Sequence, residues 1–335
     1  MLSANKSLFI GIPLLISFFL KKDDQQQYTI HGYAQGTDYS VKYFAKDSLV
    51  TKADIDRILV SIDSSMSLYK PYSRINQFNA STEGLLLDPG FLKVMRKSFE
   101  INQATKSKFD VTVAPLVQAW GFGVKPISEF PDSGMIRSAL NCVGMQHLQL
   151  KGMRLIKDKP CVQLDLNGIA QGYSVDMVAD YLLSKGIKSF VVEIGGEIRM
   201  KGPKPDGSPM RIGIEGPAAD GAEPVVKLVL SINDGAITTS GNYRKFLQKG
   251  SRKVSHLINP LTGYPLDNAM ISVTVYAKDA ITADGYDNAL MAMELEEALA
   301  FVAKRKDLEA YFIYHRKDGR VADTLSAGFK ELITE

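Results

Sequence analysis

One short segment carries oxygen-bearing side chains at a spacing that suits a metal ion. The segment TADGYDN, residues 282–288, lies near the start of a predicted helix. Asp284 and Asn288 are four residues apart and share one helix face, and Asp287 can join them. Because Mg²⁺ takes few protein carboxylates together with substrate phosphates, this set predicts a magnesium site. The alternative is structural, since Thr282 or Asp284 could simply cap the helix.

Two further segments carry groups that suit phosphate chemistry. Between Asp165 and Gly172 an acid ends a predicted strand and small residues begin a helix, whose first backbone N–H groups can receive an anion such as phosphate. The alternative is a routine strand-to-helix turn. His256 lies in SHLINPLTGYP, residues 255–265, and can act as a base or as a donor to phosphate. A lone histidine is more often structural, so both interpretations stay open.

Aromatic residues and glycines mark two other segments. The stretch FDVTVAPL at 109–116 runs into Trp120, which is the only tryptophan, and into the glycine-flanked Phe122. A ligand slot and an aromatic corner of the core are both compatible with it. Paired glycines at 195–196 let a backbone or a flat ligand come close, and the alternative is a β-bulge.

These segments need a scaffold that mixes strands and helices. Apolar residues at helical spacing predict helices over 51–68, from 88 onward, over 173–185 and over 280–304. Apolar runs predict strands over 161–166, 190–194, 225–232 and 270–277, and hairpins over 28–45 and 311–324. Strands and helices follow no strict βαβ alternation, so we expect an α+β fold of mixed sheets with packed helices.

The composition is that of an ordinary globular protein. The 335 residues are 45% apolar and 23% charged, with a formal net charge of +3. These values exclude disordered and coiled-coil chains, and the scattered Lys and Arg residues argue against a nucleic-acid partner. The motifs of P-loop hydrolases, Rossmann dinucleotide sites, α/β-hydrolases and zinc peptidases are absent. We expect Cys142 and Cys161 to be small buried hydrophobic residues, with a disulfide as the less favoured alternative.

The N-terminus departs from this composition. Leu8–Leu20 reads LFIGIPLLISFFL and is followed by polar residues through Gln27. As a helix it extends only about 20 Å, short of the ~30 Å bilayer core, which favours an export signal over a membrane span. A buried core segment is the alternative. We expect residues 1–27 to be an export signal or membrane anchor with a short polar tether, cleaved or uncleaved, and residues 28–335 to form the catalytic domain.

Taken together and in this order, the segments resemble the ApbE-type FAD:protein FMN transferases, which are flavin transferases of bacterial envelopes. The resemblance extends from about Gly36 to Ala300. It is carried by GTDY at 36–39, MSLY at 66–69, SRINQFN at 73–79, the FDVTVAPL and WGFG motifs within 109–123, SGNY at 240–243 and HLINPLTG at 256–263.

The resemblance implies a fold of two intimately associated subdomains and a Mg²⁺-dependent reaction. FAD is split at its pyrophosphate, FMN is joined by a phosphoester bond to a Thr or Ser of a target flavoprotein, and AMP is released. An FAD pyrophosphatase that yields free FMN, and a flavin-binding protein without catalysis, are the alternatives. The expected location is the periplasmic side of the bacterial inner membrane, where the N-terminal segment would anchor the protein or be removed.

The resemblance also implies roles for individual residues. His256, which would assist the incoming hydroxyl, and Asp284 would be catalytic. Mg²⁺ would be held by Asp284, Asp287, Asn288 and the backbone carbonyl of Gly168. The family commonly has Lys or Glu at the position of Gln171 and often Thr at that of Asn288. The FAD site would be formed by Thr37, Tyr69, Lys108, Phe109, Asp110, Asp165, Gln171, Ser240 and Ile258.

Overall fold

A computed structural model describes residues 25–217, 225–242, 246–249 and 252–334. Within them the strands are β1 (Gln26–Ala34), β2 (Thr37–Ala45), β3 (Gly84–Leu86), β4 (Leu148–Lys151), β5 (Arg154–Lys157), β6 (Phe190–Ile194), β7 (Glu197–Lys201), β8 (Met210–Glu215), β9 (Val226–Ile232), β10 (Asp234–Gly241), β11 (Phe246–Lys249), β12 (Arg252–Ser255), β13 (Met270–Ala277), β14 (Leu308–His315) and β15 (Val321–Leu325). The α-helices are α1 (Lys52–Met66), α2 (Arg74–Ala80), α3 (Pro89–Ala104), α4 (Ala114–Ala119), α5 (Ser133–Leu140), α6 (Ala170–Ser184), α7 (Ala280–Met291), α8 (Leu295–Val302) and α9 (Ala327–Lys330).

Eight of these strands form one antiparallel sheet in the order β1-β2-β6-β7-β10-β13-β14-β15. Three smaller sheets join β3-β5-β4, β8-β9 and β11-β12. Strands β2 and β6 are neighbours, with Tyr39 opposite Ile194, although residues 46–189 separate them in sequence. The mixture of sheets and packed helices confirms the predicted α+β class. The division into two subdomains and the domain limits at 27 and 28 stay predictions.

Helices cover one face of the main sheet and a hairpin covers the other. Helices α6 and α7 pack on β6, β7, β10 and β13. The hairpin β8-β9 packs on the opposite face, where Ile212 joins a cluster with Ile237 and Ile313. Strand β13, which reads MISVTVYA, is buried along most of its length because both of its faces are covered. Helix α7 packs directly on this strand and on β10.

The predicted starts of α1 and α3 and the two predicted hairpins are confirmed, whereas α6 begins at Ala170, three residues before its predicted start. Thr51 caps α1 in a capping box with Asp54, and the Asp88 side chain caps α3 directly before Pro89. Strands β1 and β2 form the predicted N-terminal hairpin, and β14 and β15 form the predicted C-terminal one.

The prediction of one helix over 280–304 is wrong. Helix α7 ends at Met291, and α8 begins only at Leu295. Asn268 donates from Nδ2 to the carbonyls of Met291 at 2.8 Å and Met293 at 3.1 Å. Because these carbonyls bind a side chain from another part of the chain, the helix ends and the chain turns.

The prediction of a strand over 161–166 is also wrong. The segment is extended, but its ladder consists of one parallel bridge between Val113 and Gln163. Side chains take the place of a second strand: Asn79 exchanges two hydrogen bonds with the backbone of Leu164, and the buried Lys157 ammonium donates to the carbonyl of Val162 at 2.8 Å. The segment is therefore fixed without belonging to a sheet.

The two cysteines form a disulfide, so the expectation of separate buried thiols is wrong. Cys142 and Cys161 are bonded, with their Cα atoms 5.4 Å apart. Cys161 is exposed and Cys142 is half-buried. The bond ties the segment after α5 to the extended segment that leads to Asp165.

The predicted export segment, residues 1–27, lies outside the described residues except for its last three positions. Among the described residues, no helix combines the length and the apolar character needed to cross a bilayer.

Candidate functional site

Helices α6 and α7 lie side by side, and Gly172 lies at a point where they are in close contact. A side-chain carbon at Gly172 would lie 2.7 Å from the Asp284 Cβ and would also meet the Ala280 carbonyl. The Gly172 N–H donates to Asp284 Oδ2 at 2.8 Å. The anion that this helix start receives is therefore a carboxylate of the protein itself.

The structure brings together all four residues predicted to hold a metal. Asn288 Nδ2 lies 2.9 Å from Asp287 Oδ1, 3.0 Å from the Asp284 carbonyl oxygen, and 3.4 Å from both Asp284 Oδ1 and the Gly168 carbonyl oxygen. Ser240 Oγ donates to Asn288 Oδ1 at 3.4 Å. Residues from α7, from strand β10 and from the turn before α6 therefore lie around the Asn288 amide. We refer to Gly168, Asp284, Asp287 and Asn288 as the oxygen cluster.

Burial makes the two carboxylates of the oxygen cluster difficult to ionise. It raises the pKa of Asp284 to about 7, against the effect of the Gly172 N–H, and the charge of Asp176 adds to the increase. Burial also raises the pKa of Asp287 well above its ordinary value, and the charges of Asp284 and Glu197 raise it further. Neither carboxylate forms an ion pair within the part of the chain that the structure describes.

The chemistry of the oxygen cluster fits a hard divalent cation. Two buried carboxylates and one carbonyl offer oxygen ligands, which Mg²⁺ prefers, and the Asn288 amide adds a fourth oxygen once it rotates so that Oδ1 replaces Nδ2. Among residues 25–217, 225–242, 246–249 and 252–334, no three His, Cys, Asp or Glu side chains are grouped so that they could hold a metal ion. A cation here would therefore depend on the carbonyl of Gly168 and the amide of Asn288 as well as on the carboxylates.

Thr37 and Gln171 meet at one corner of the main sheet, beside the start of α6. Gln171 donates from Nε2 to the carbonyl of Ile194 at 2.8 Å. Gly195, with a φ of 63°, then turns the chain from β6 into β7, so the glycine pair is a hairpin turn rather than a bulge. A side-chain carbon at Gly195 would lie 2.9 Å from the Thr37 Cγ2 and would overlap the Gln171 amide. The groups that come close to this glycine are two side chains, rather than the backbone or flat ligand considered from the sequence.

Asp110 and Asp165 are both buried and lie on adjoining segments. The Asp165 N–H donates to the carbonyl of Val111 at 2.8 Å, and the Asp165 carboxylate accepts from the backbone N–H of Asn167 at 2.9 Å. Asp110 accepts from the backbone N–H groups of Thr112 at 2.8 Å and of Met145 at 3.0 Å. Burial raises the pKa of both side chains. The Asp110 carboxylate therefore holds its own loop in place.

His256 lies against the aromatic segment. Phe122 approaches the His256 ring edge-on, with 6.2 Å between ring centres. The buried Trp120 donates from Nε1 to the carbonyl of Gly263 at 2.8 Å, which fixes the turn that follows His256. Ile258 forms an antiparallel bridge across this turn and packs on the same aromatic cluster. The aromatic segment thus belongs to the core and also positions the histidine.

Three more of the predicted FAD residues have contacts or exposure of their own, and their role stays a prediction. Lys108 donates to the carbonyl of Ala292 at 3.2 Å and pairs with Glu297 at 3.3 Å, so it contacts the turn after α7 and the first part of α8. Phe109 is buried in the main core. Tyr69, in the turn after α1, leaves 67% of its surface exposed and is available to a flat ligand.

Comparison with known proteins decides the family. The family model described as "ApbE family" matches residues 35–312. The chain belongs to the ApbE family. It is 37% identical to a protein of Vibrio cholerae named FAD:protein FMN transferase, over 92% of this chain and 94% of that one. It is 33% identical to a protein of the same name from Haemophilus influenzae, over 96% of both chains.

Solved structures agree with this membership. The flavin transferase ApbE from Vibrio cholerae superposes with a TM-score of 0.83 at 37% identity, covering 92% of this chain and 99% of that one. The apo form of the Pseudomonas stutzeri flavinyl transferase ApbE gives a TM-score of 0.82 at 32% identity, covering 92% and 97%. The ApbE fold therefore extends over nearly the whole chain.

Sequence reasoning missed two residues behind the oxygen cluster of this ApbE protein. Asp176, on α6, accepts hydrogen bonds from the first turn of α7, and Arg199, on β7, pairs with it at 2.9 Å. One available signal was the spacing of Asp176, which lies four residues after Gly172 and therefore on the same helix face. Arg199 gave no such signal, because its place depends on the sheet order.

Proposed function

We propose that this chain is an FAD:protein FMN transferase. It transfers FMN from FAD to a Thr or Ser hydroxyl of a target flavoprotein and releases AMP. The observation that carries the proposal is the oxygen cluster, in a chain whose relatives over nearly its full length are named for this activity.

The oxygen cluster is assigned to Mg²⁺. Asp284, Asp287, Asn288 and the carbonyl of Gly168 would hold the ion, which supplies positive charge against the pyrophosphate of FAD. Ser240 donates to Asn288 Oδ1, and this bond would be given up when the amide turns its oxygen toward the ion. The start of α6 is already occupied by the Asp284 carboxylate, so the helix positions a metal ligand rather than the substrate phosphate.

His256 is assigned to the acceptor hydroxyl. In the transfer, the hydroxyl oxygen forms a bond to the phosphorus of the FMN half, the bond from that phosphorus to the AMP oxygen breaks, and AMP leaves with the electron pair. His256 accepts the hydroxyl proton, which suits an imidazole whose ordinary pKa is about 6.5. Contact with Phe122 orients its ring.

The FAD-binding role is assigned to the corner of Thr37 and Gln171 and to the buried Asp165. Gln171 is held by the carbonyl of Ile194, so its amide keeps one orientation at the start of α6. The exposed ring of Tyr69 offers an aromatic face on which a flavin can stack.

We also propose that the domain works outside the cytoplasm. The Cys142–Cys161 disulfide supports this location, because such bonds persist in oxidising compartments. The apolar stretch Leu8–Leu20 would direct export and could hold the protein at the membrane. Fractionation of expressing cells, with the protein detected by immunoblot in the periplasmic, membrane and cytosolic fractions, tests the location; retention of the chain in the cytosol would contradict it.

The experiment that tests the activity combines the protein, FAD and Mg²⁺ with an acceptor flavoprotein prepared without its covalent flavin. We expect mass spectrometry to detect an FMN adduct on one Thr or Ser, with one AMP released per adduct. Chelation with EDTA should abolish the transfer. His256→Asn should lower the rate by about 10²- to 10⁴-fold without loss of FAD binding.

The controls separate the alternatives. Asp180→Asn changes an exposed carboxylate outside the site and should leave the transfer unchanged. Release of free FMN and AMP without an adduct would identify a pyrophosphatase. FAD that binds and is recovered intact would identify a non-catalytic flavin-binding protein. Either result would overturn the transferase proposal.

A further inference from the structure

Helices α6 and α7 cap each other with carboxylates. Asp176, in the second turn of α6, accepts from the backbone N–H groups of Ala280 and Ile281 at the start of α7, each at 2.9 Å. In return Asp284, in the second turn of α7, accepts from the N–H of Gly172 in the first turn of α6 at 2.8 Å. Each helix therefore supplies the anion that its neighbour's N-terminus favours.

The Asp176 carboxylate is fixed on both of its oxygens. Oδ1 accepts from Ala280 and also from Arg199 Nη1 at 2.9 Å, and Oδ2 accepts from Ile281. The side chain of Asp176 is 1% exposed and that of Arg199 is 18% exposed. Two neighbouring N–H groups bound to two oxygens of one carboxylate define both the rotation of α7 and its position along its axis.

This anchoring reaches the oxygen cluster through the rigid helix. Asp284 lies four residues after Ala280, on the same face of α7. Its Oδ2 is occupied by Gly172, while its Oδ1 points toward the Asn288 amide. A change in the first turn of α7 would therefore move both Asp284 and Asn288 relative to the carbonyl of Gly168. That carbonyl does not move with α7, because Gly168 lies in the turn before α6.

We propose that Asp176 is a positioning residue that sets the metal affinity of the oxygen cluster. This inference rests on the proposed function, because it takes the cluster as the magnesium site. Asp176 does not reach the cation itself. It holds the start of α7 so that three ligands on that helix face the carbonyl of Gly168.

The test measures metal binding directly. Full-length protein with Asp176→Asn is titrated with Mn²⁺, followed by electron paramagnetic resonance, and with Mg²⁺ by competition. The asparagine keeps the size but turns an NH₂ group toward Arg199 or the backbone donors, so one of these contacts is lost. We expect the dissociation constant for Mn²⁺ to rise about 10- to 100-fold, as for other groups that orient metal ligands.

The matched control is Asp180→Asn. Asp180 binds the same Arg199 at 3.1 Å but is 46% exposed and is not bonded to α7 in the contacts described above. It should leave the Mn²⁺ dissociation constant unchanged. FAD binding in EDTA, followed by flavin fluorescence, should be the same in both variants, because Asp176 acts on the metal ligands alone.

Each outcome decides a separate question. If the wild-type protein binds no Mn²⁺, the oxygen cluster is not a metal site and the proposed function fails together with this inference. If the wild-type protein binds Mn²⁺ and Asp176→Asn binds it as tightly as Asp180→Asn does, the positioning role is overturned and the proposed function stands. A lower melting temperature with unchanged metal affinity would show a merely structural role and would also overturn it.

A second variant keeps the test valid if Asp176→Asn does not fold. Arg199→Gln leaves both backbone hydrogen bonds of Asp176 in place and removes only the cation that fixes Oδ1. We expect a smaller rise in the Mn²⁺ dissociation constant, about threefold to tenfold, which stays below the effect of removing the carboxylate. Equal affinity of Arg199→Gln and Asp180→Asn would contradict the proposal.

Discussion

Replacing Asp284 by asparagine should stabilise the metal-free protein at alkaline pH. In the folded protein, burial raises the pKa of Asp284 from 3.8 to about 7. The unfolded chain releases this proton near pH 4, so between the two pKa values the folded state binds the extra proton. The contribution of Asp284 to stability is therefore most favourable below pH 4, falls as the pH rises through this window, and is least favourable above pH 7.

The size of the effect follows from the two pKa values. The buried Asp284 carboxyl lowers the free energy of unfolding by about 4 kcal/mol at pH 8, above both pKa values, and by about 2 kcal/mol at pH 5, between them. Asparagine has no charge to bury, and its carbonyl oxygen can still accept from the Gly172 N–H. With an unfolding entropy of about 2 cal/mol/K per residue, the gain at pH 8 raises the melting temperature by about 6 °C.

Calorimetry in EDTA at pH 8 and pH 5 measures this gain, with the disulfide intact. Asp284→Asn should have a higher melting temperature than the wild-type protein at both pH values. The difference in melting temperature at pH 5 should be about half of that at pH 8. Added Mg²⁺ should raise the melting temperature of the wild type only, because the variant lacks one charged ligand. Asp180→Asn, which changes an exposed carboxylate, should match the wild type throughout. A variant that melts lower than the wild type at pH 8, or a difference that does not change with pH, would refute the reasoning.

Three further perturbations test other parts of the structure. Gly172→Ala should lower the free energy of unfolding by about 3 kcal/mol in urea titrations, because its methyl group would meet the carbonyl of Ala280, which cannot move without shifting a helix. Replacing Cys142 and Cys161 by serine should lower the free energy of unfolding by about 3 kcal/mol, because the disulfide closes a loop between residues 19 positions apart. Reduction by dithiothreitol should have no effect on the stability of that variant. Lys157→Met should lower the free energy of unfolding in urea titrations by about 2 kcal/mol, because three carbonyls would lose their hydrogen-bond donor. An unchanged free energy of unfolding would show that water replaces the ammonium group.

Features that depend on local spacing could be predicted from the sequence. The i, i+4 relation of Asp284 and Asn288 holds in α7, and the two residues share one site as expected. The carbonyl of Gly168 joined the prediction only through the resemblance to the ApbE family, because nothing in its local sequence indicates that it meets a helix more than a hundred residues later. The structure brings it within 3.4 Å of Asn288.

Features that depend on distant side chains could not be predicted. The break after Met291 requires the amide of Asn268, and the extended segment near Leu164 requires Asn79. In both places the local apolar pattern continues while a remote side chain binds the backbone. The disulfide shows the same limit, since only the fold brings Cys142 next to Cys161.

The order of the main sheet determines when it can be completed. Strand β2 obtains its second neighbour only when β6 is available, because residues 46–189 separate the two strands. Closing a loop of this length costs about 4 kcal/mol in chain entropy, so this pairing forms late and slowly. Until then the N-terminal hairpin presents an unpaired strand edge, along which a second unfolded chain can add. We expect a chain that emerges from its N-terminus first to need protection from aggregation until Ile194 has emerged, and a chaperone that binds open strand edges would provide it.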